Sequence, residues 1–214
     1  MQNMLKVLEK QFPLEKLDAG EFAKIKVSGM NFTIERYYAK GLGNVSVMKA
    51  AGFFGLMKMD TLIVNPMECD APLFSYDRVF AMGNDTLILE LYDTLLGELN
   101  LGAMKKVKED NKALPAHDLG SHWYDSIKLK ESDSKKGKKR ETPAFDKMAA
   151  DYFKAYVECL KGALACDGVA KKEKASVYVE GLLSNGGPST DIFKKHYGEE
   201  KTAYLFRSVL FGTK

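Results

Sequence analysis

Between residues 31 and 93 the chain repeats one pattern, and that pattern decides what it can become. Five stretches rich in β-branched and aromatic residues follow one another: NFTIERYYAK, NVSVMKAA, LMKMDTLIVN, SYDRVFAM and TLILELYD. The third alternates apolar and polar positions with a period of two, the signature of a strand with two unlike faces. Gly41-Leu42-Gly43 separates the first pair, and Gly83-Asn84-Asp85 the last. Such turns close hairpins. A parallel pairing would need a crossover of about a dozen residues, so the strands are predicted to be antiparallel.

The flanking segments read as helices and loops. Met4, Leu5, Val7 and Leu8 recur at helical spacing before Pro13, and leucines with Met104 do so from Thr94 to Val107. Residues 111–122 read as loop and WYDSIKLKES as a last strand. The polar, basic stretch 132–143, SDSKKGKKRETP, reads as a mobile loop. FDKMAADYFKAYVECLKGAL is strongly amphipathic, and a further helix is predicted from Val169 to Leu183. In SNGGPST, Pro188 suits a first helical turn, with Ser189 or Thr190 as cap. DIFKKHYG ends at Gly198, and EEKTAYLFRSVLF is the terminal helix. Strands first and helices later, without βαβ alternation, imply an α/β (α+β) chain: one domain over residues 1–214, its antiparallel sheet covered by helices.

Several chemistries have no footing. A net charge of +3 provides no global field for nucleic acid. Cys69, Cys159 and Cys166 are odd in number and lack CxxC spacing, as reduced thiols in a reducing cytosol would. No apolar h-region opens the chain and no apolar run approaches the roughly 20 residues of a bilayer span. A soluble, cytoplasmic protein is expected. Glycine-rich phosphate loops, GxSxG and HExxH are absent. A three-histidine metal site would need His117, His122 and His196 together, and no metal is expected.

Two acids stand out because they interrupt apolar strands. Asp77 shares a face with Ser75 and Val79, while Phe74, Tyr76, Arg78 and Phe80 point the other way. Under a layer of helices Asp77 would be desolvated, its pKa would rise, and it could hold a proton near neutral pH as a general acid does. At a sheet edge it would only pair with a turn or a lysine. Glu35 sits mid-strand on the face of Thr33 and Tyr37, as a similar acid or as a solvent-facing partner of Arg36 or Lys40.

APLFSYDRV resembles the Pro-hydrophobic-Phe-x-x-Asp-hydrophobic-Val strand of the ferredoxin-dependent bilin reductases. PSTDIFKKHYGEEKTAYLFRSVLF is similar to the terminal signature of that family, and Ile34-Glu35-Arg36 to its Ile-Glu strand. About a third of the chain carries the resemblance. It implies a three-layer α/β/α sandwich with a tetrapyrrole, such as biliverdin, between the sheet and the C-terminal helices. It further implies no bound flavin or metal, single electrons from reduced ferredoxin or flavodoxin, and protons from carboxylates. Asp77 falls at the proton-donating aspartate of the family, and Glu35 near a contributing glutamate. Ser75, Lys49, Lys128 and Arg207 are the implied substrate-binding residues, with Lys130 a further partner for propionates. The basic run Lys135–Arg140 is an implied docking face for an acidic ferredoxin.

The chain also departs from that pattern. Lys49 stands nearest the position of a family histidine, Gly186 and Gly187 replace a second acid with Asp191 closest, and a tryptophan is lost around Lys201 and Thr202. A non-enzymatic bilin or haem carrier on the same scaffold is the alternative reading, and an unrelated interaction protein a third.

Overall fold

The computed structural model describes residues 1–214, the surroundings of the Pro188 side chain apart. Eight strands form one antiparallel sheet: β1 Leu14–Leu17, β2 Lys24–Val27, β3 Met30–Ala39, β4 Gly43–Gly52, β5 Met57–Pro66, β6 Leu73–Ala81, β7 Asn84–Tyr92 and β8 Asp133–Lys138. The order is β1-β3-β4-β5-β6-β7-β8, with β2 beside β1 along the same edge of β3. Helices α1 Gln2–Glu9, α2 Gly102–Asp110 and α3 Thr142–Lys161 cover one face. Helices α4 Gly168–Asn185 and α5 Pro188–Tyr204, with a terminal π-helical turn Leu205–Leu210, cover part of the other. The helix-covered antiparallel sheet expected from the order of elements, and the three layers the resemblance implies, are therefore present.

The two faces have different chemistry. Toward α3, β4 to β7 present Val45, Val47, Leu62, Val64, Phe74, Tyr76, Leu87, Leu89 and Leu91, all buried. Phe74 is fully buried and stacks on Tyr156 at 4.9 Å between ring centroids, with Phe153 at 5.6 Å and Tyr152 at 6.1 Å. Toward α4 and α5 the same strands present Asn44, Ser46, Thr61, Asn65, Ser75, Asp77 and Glu90 among apolar residues.

That polar face is closed at one end by the C-terminus. Asn44 and Ser46 donate to the carbonyl of Leu210 at 2.8 and 2.7 Å, and Asn65 donates to that of Phe211 at 2.7 Å. Carbonyls at a helix end have no partner of their own, and these three buried groups supply one. Between β3 and β4, Gly43 has φ +137°, and a Cβ there would lie 2.6 Å from the Asn65 carbonyl; only glycine permits that turn.

Three expectations need correction. Residues 132–143 are not a mobile loop: β8 pairs with β7 from Asp133 to Lys138. The Thr142 hydroxyl donates to Asp85 at 2.5 Å, and Glu141 accepts from the Lys138 N–H at 2.7 Å. The unpaired edge of β7 offers ladder bonds that outweigh the polarity of the segment, and Lys135 turns inward to meet Asp133 at 3.2 Å. WYDSIKLKES forms no strand; Trp123–Ser126 is a 3₁₀ turn whose aromatic rings are drawn into the core against α4. The helix placed at Thr94–Val107 begins only at Gly102, because Leu96 and Gly97 give their N–H groups to Asp70.

Removing the Phe74 ring from this close-packed layer should be severe. Phe74→Ala is expected to destabilise the chain by about 3–5 kcal/mol, seen as a lower urea midpoint with an unchanged slope; a loss below about 1 kcal/mol would show that the α3 layer repacks.

Candidate functional site

Asp77 occupies the middle of β6 on the polar face. Its Oδ1 accepts from the Thr61 hydroxyl at 2.5 Å, and its Oδ2 from the Ser75 hydroxyl at 3.1 Å. Thr61 lies directly across on β5, and Ser75 is two residues back on the same strand. Burial pushes the Asp77 carboxyl above the usual carboxylate range, and the two hydroxyl hydrogen bonds pull against it. No cation is paired with it among the described residues. The side chain is half-buried, in a patch of similarly half-buried neighbours: Met59, Val79, Thr86 and Ile88. They leave the carboxyl in the floor of a largely apolar, half-open shelf.

A second acid stands beside it. Glu90 on β7 pairs directly with Ser75 across the hairpin and shares the face of Asp77. Its Oε2 accepts from the Tyr92 hydroxyl at 2.6 Å. Burial raises its pKa first; the Tyr92 hydrogen bond opposes this, the charge of Asp77 adds to it, and Lys128 and His122 lower it. Sequence reasoning passed over Glu90 because it placed the β6–β7 turn at 83–85. The turn is Met82-Gly83, with φ of 51° and 74°, and Ala81 pairs with Asn84. A hairpin loop of two residues sets every later pair, so with the turn in its true place the pairing of Glu90 and Ser75 is legible.

Aromatic rings wall this end of the face. Tyr92 stacks on Tyr178 of α4 at 3.9 Å between centroids, and Tyr124 meets Tyr92 edge-on at 5.6 Å. His122 stacks on Tyr124 at 4.8 Å, and Trp123 on Tyr178 at 5.8 Å. Trp123 reaches α4 only because Gly181 has no side chain: a Cβ there would fall 2.1 Å from the indole. A weak strand-like stretch and a helix 50 residues later gave no hint of this meeting.

The structure gathers some of the expected residues and separates others. Ser75 and Asp77 are together. Lys128 sits at the rim, 2.8 Å from Asp125 and 3.9 Å from Glu90. Glu35 lies on the opposite face, in register with Val47, Leu62 and Tyr76. There Lys16 pairs with it at 2.5 Å and Tyr37 donates to it at 3.2 Å. The Lys16 hydrogen bond holds Glu35 below its ordinary range, a poor state for giving up a proton near neutral pH. Lys49 is exposed, also on that opposite face. Arg207 makes a bidentate pair with Glu180 at 2.7 and 2.6 Å and lines a groove between α4 and α5. Lys130 and Asp191 are exposed.

The burial of Asp77 has a consequence for stability. A carboxyl with a higher pKa in the folded than in the unfolded chain binds more protons when folded. Stability then falls as pH climbs from the unfolded value, about 4, through the folded one, and the loss persists above it. Asp77→Asn is expected to melt higher than the parent at pH 8, by ~2–4 °C for each kcal/mol regained, with the difference vanishing near pH 4. A lower melting temperature at pH 8 would show the carboxylate to be net stabilising.

No protein-family model and no curated protein sequence matches the chain. Among solved structures, it superposes on phytochromobilin synthase from tomato, crystallised in complex with biliverdin, with a TM-score of 0.79 and 12% identity. The match covers 99% of this chain and 81% of that one. The two proteins share a fold.

Proposed function

We propose that the chain binds an open-chain tetrapyrrole on the Asp77 face of the sheet and reduces it, with Asp77 as proton donor. The observation that carries this reading is a carboxyl without a cationic partner, kept partly from water in the floor of an apolar shelf beside stacked aromatic rings. A flat conjugated ligand matches such a surface, which gives ring faces for its pyrroles and one acid for their nitrogens or lactam oxygens. The tomato synthase of the same fold holds biliverdin, which supports a ligand of that class.

The chemistry follows from the state of the acid. Reduction of one double bond adds two electrons and two protons. An iron–sulfur protein of the ferredoxin class supplies electrons one at a time and is itself oxidised. Each electron makes the tetrapyrrole more basic, and protonated Asp77 then gives its proton to the substrate radical. Thr61 and Ser75 hold the carboxyl in one orientation and stabilise the carboxylate that remains. Lys128 at the rim is the nearest cation for a propionate, in exchange for Asp125. The exposed cations Lys136, Lys138, Lys139 and Arg140 lie on or beside the edge strand β8. Lys136 shares the face of Asp77 two strands away, roughly 10 Å, so an acidic electron donor docked on this edge sits beside the site.

The cavity beside Glu90 holds about 190 Å³, less than the ~300–1,000 Å³ of a typical ligand site. The tetrapyrrole therefore rests on the open shelf. Anaerobic titration of the chain with biliverdin, followed by reduced ferredoxin, tests the proposal. The parent is expected to bind and turn over. Asp77→Asn is expected to bind within a few-fold and to lose about 10²–10⁴ in rate. Binding without turnover in the parent selects the carrier alternative, and no binding at all sinks both.

A further inference from the structure

Glu90 is 7% exposed, and its Oε1 has no hydrogen-bond partner among the described residues. A buried carboxylate oxygen without a hydrogen bond costs about 1–3 kcal/mol, and with Lys128 Nζ as far as 3.9 Å the polar space beside it is the place for one. Glu90 lines the cavity of about 190 Å³ together with His117, Lys128, Asp133 and Ser134. At ~30 Å³ per molecule that space holds about six waters, and polar walls are what keeps such a space wet. Ser75 lies directly opposite Glu90 across the hairpin, and the Ser75 hydroxyl donates to Asp77 at 3.1 Å. A hydroxyl can accept one hydrogen bond while donating another.

We propose that Glu90 and Ser75 form a proton relay that refills Asp77 from water in the cavity beside Lys128. The relay rests on the reductase reading above, since only an acid that is emptied repeatedly needs refilling. Its steps move protons and no electrons. Asp77, having given its proton to the substrate radical, is a carboxylate. The Ser75 hydroxyl proton passes to Asp77 Oδ2, and the Glu90 proton passes to Ser75 Oγ. The Glu90 carboxylate then takes a proton from cavity water, and the hydroxide left behind is neutralised by solvent.

The surroundings of Glu90 set the direction. Asp77 faces it from β6 and Tyr92 from its own strand. Lys128 and His122 approach from the segment after α2, Tyr178 from α4, and His117 and Asp133 across the cavity. Burial and the nearby Asp77 charge hold the Glu90 proton, while Lys128 and His122 loosen it. Burial thus favours the protonated form of Glu90, the form a refilling donor must hold.

Infrared titration of the ligand-free chain, with Glu90→Gln, Asp77→Asn and Ser75→Ala, reads the pair without turnover. The parent is expected to show a protonated-carboxyl band, absent in Glu90→Gln, that persists above the pH range of an exposed carboxyl; in Asp77→Asn it is lost at lower pH. In turnover with reduced ferredoxin, Glu90→Gln should leave the first proton transfer intact, whereas Ser75→Ala, which also loses the hydrogen bond that orients Asp77, should slow it. Their steady-state rate should fall by about a hundredfold at pH 8, the lower end of what a positioned donor contributes. If Glu90→Gln fails to fold, Glu90→Asp, whose shorter side chain withdraws the acid from Ser75, carries the test. A Glu90 band that titrates like an exposed carboxylate, or a full steady-state rate in Glu90→Gln while the parent turns over, overturns the relay alone. A parent that reduces no bilin overturns the reading beneath it.

Discussion

Three hydrogen bonds decide where this molecule can be functional. Asn44, Ser46 and Asn65 are buried on the sheet and donate to the carbonyls of Leu210 and Phe211. Those carbonyls end a π-helical turn and would otherwise be orphaned in the core. Satisfying them pins the C-terminus over β4 and β5, and α5 with its kink at Gly198 (φ 78°) follows. One end of the polar face is thereby sealed by Phe206, Val209, Leu210 and Phe211. The other end, around Asp77, is left half-open.

The sheet behaves as a partition between two interiors. On the α3 side its residues are aliphatic or aromatic and need only close packing. On the α4–α5 side nearly every strand contributes a polar group, and each must find a partner. Asn44, Ser46 and Asn65 find the chain terminus; Ser75 and Thr61 find Asp77; Tyr92 finds Glu90. Glu90 Oε1 and the cation-free Asp77 lie at the open end with capacity unused, while Asn65 Oδ1 is unpaired at the sealed one. Polar capacity left over inside a protein is where ligands and protons are handled.

Much of the fold was legible beforehand because antiparallel hairpins are local. Tight glycine turns and period-two alternation located five strands, and the same alternation put Asp77 and Ser75 on one face and Phe74 and Tyr76 on the other. Strand β8 was hidden because its lysines mimic a solvated loop; the bond-hungry edge of β7, remote in sequence, orders it. Glu35 and Asp77 looked like a matched pair by strand position. They stand on opposite faces because adjacent strands fix which alternate residues share a side, and the sum of three pairings cannot be read from either strand alone. Glu90 was concealed by one misplaced turn residue.

By itself, then, the sequence determined the antiparallel class, the helical tail and an acid set among apolar residues, since each rests on spacing within a dozen positions. Tertiary structure decided which acids meet, that Trp123 crosses to Gly181 on α4, and that Lys49 lies exposed on the opposite face while Arg207 pairs with Glu180. Those outcomes depend on register and on helix placement, which are set by packing between segments up to 166 residues apart. No local pattern carries that information.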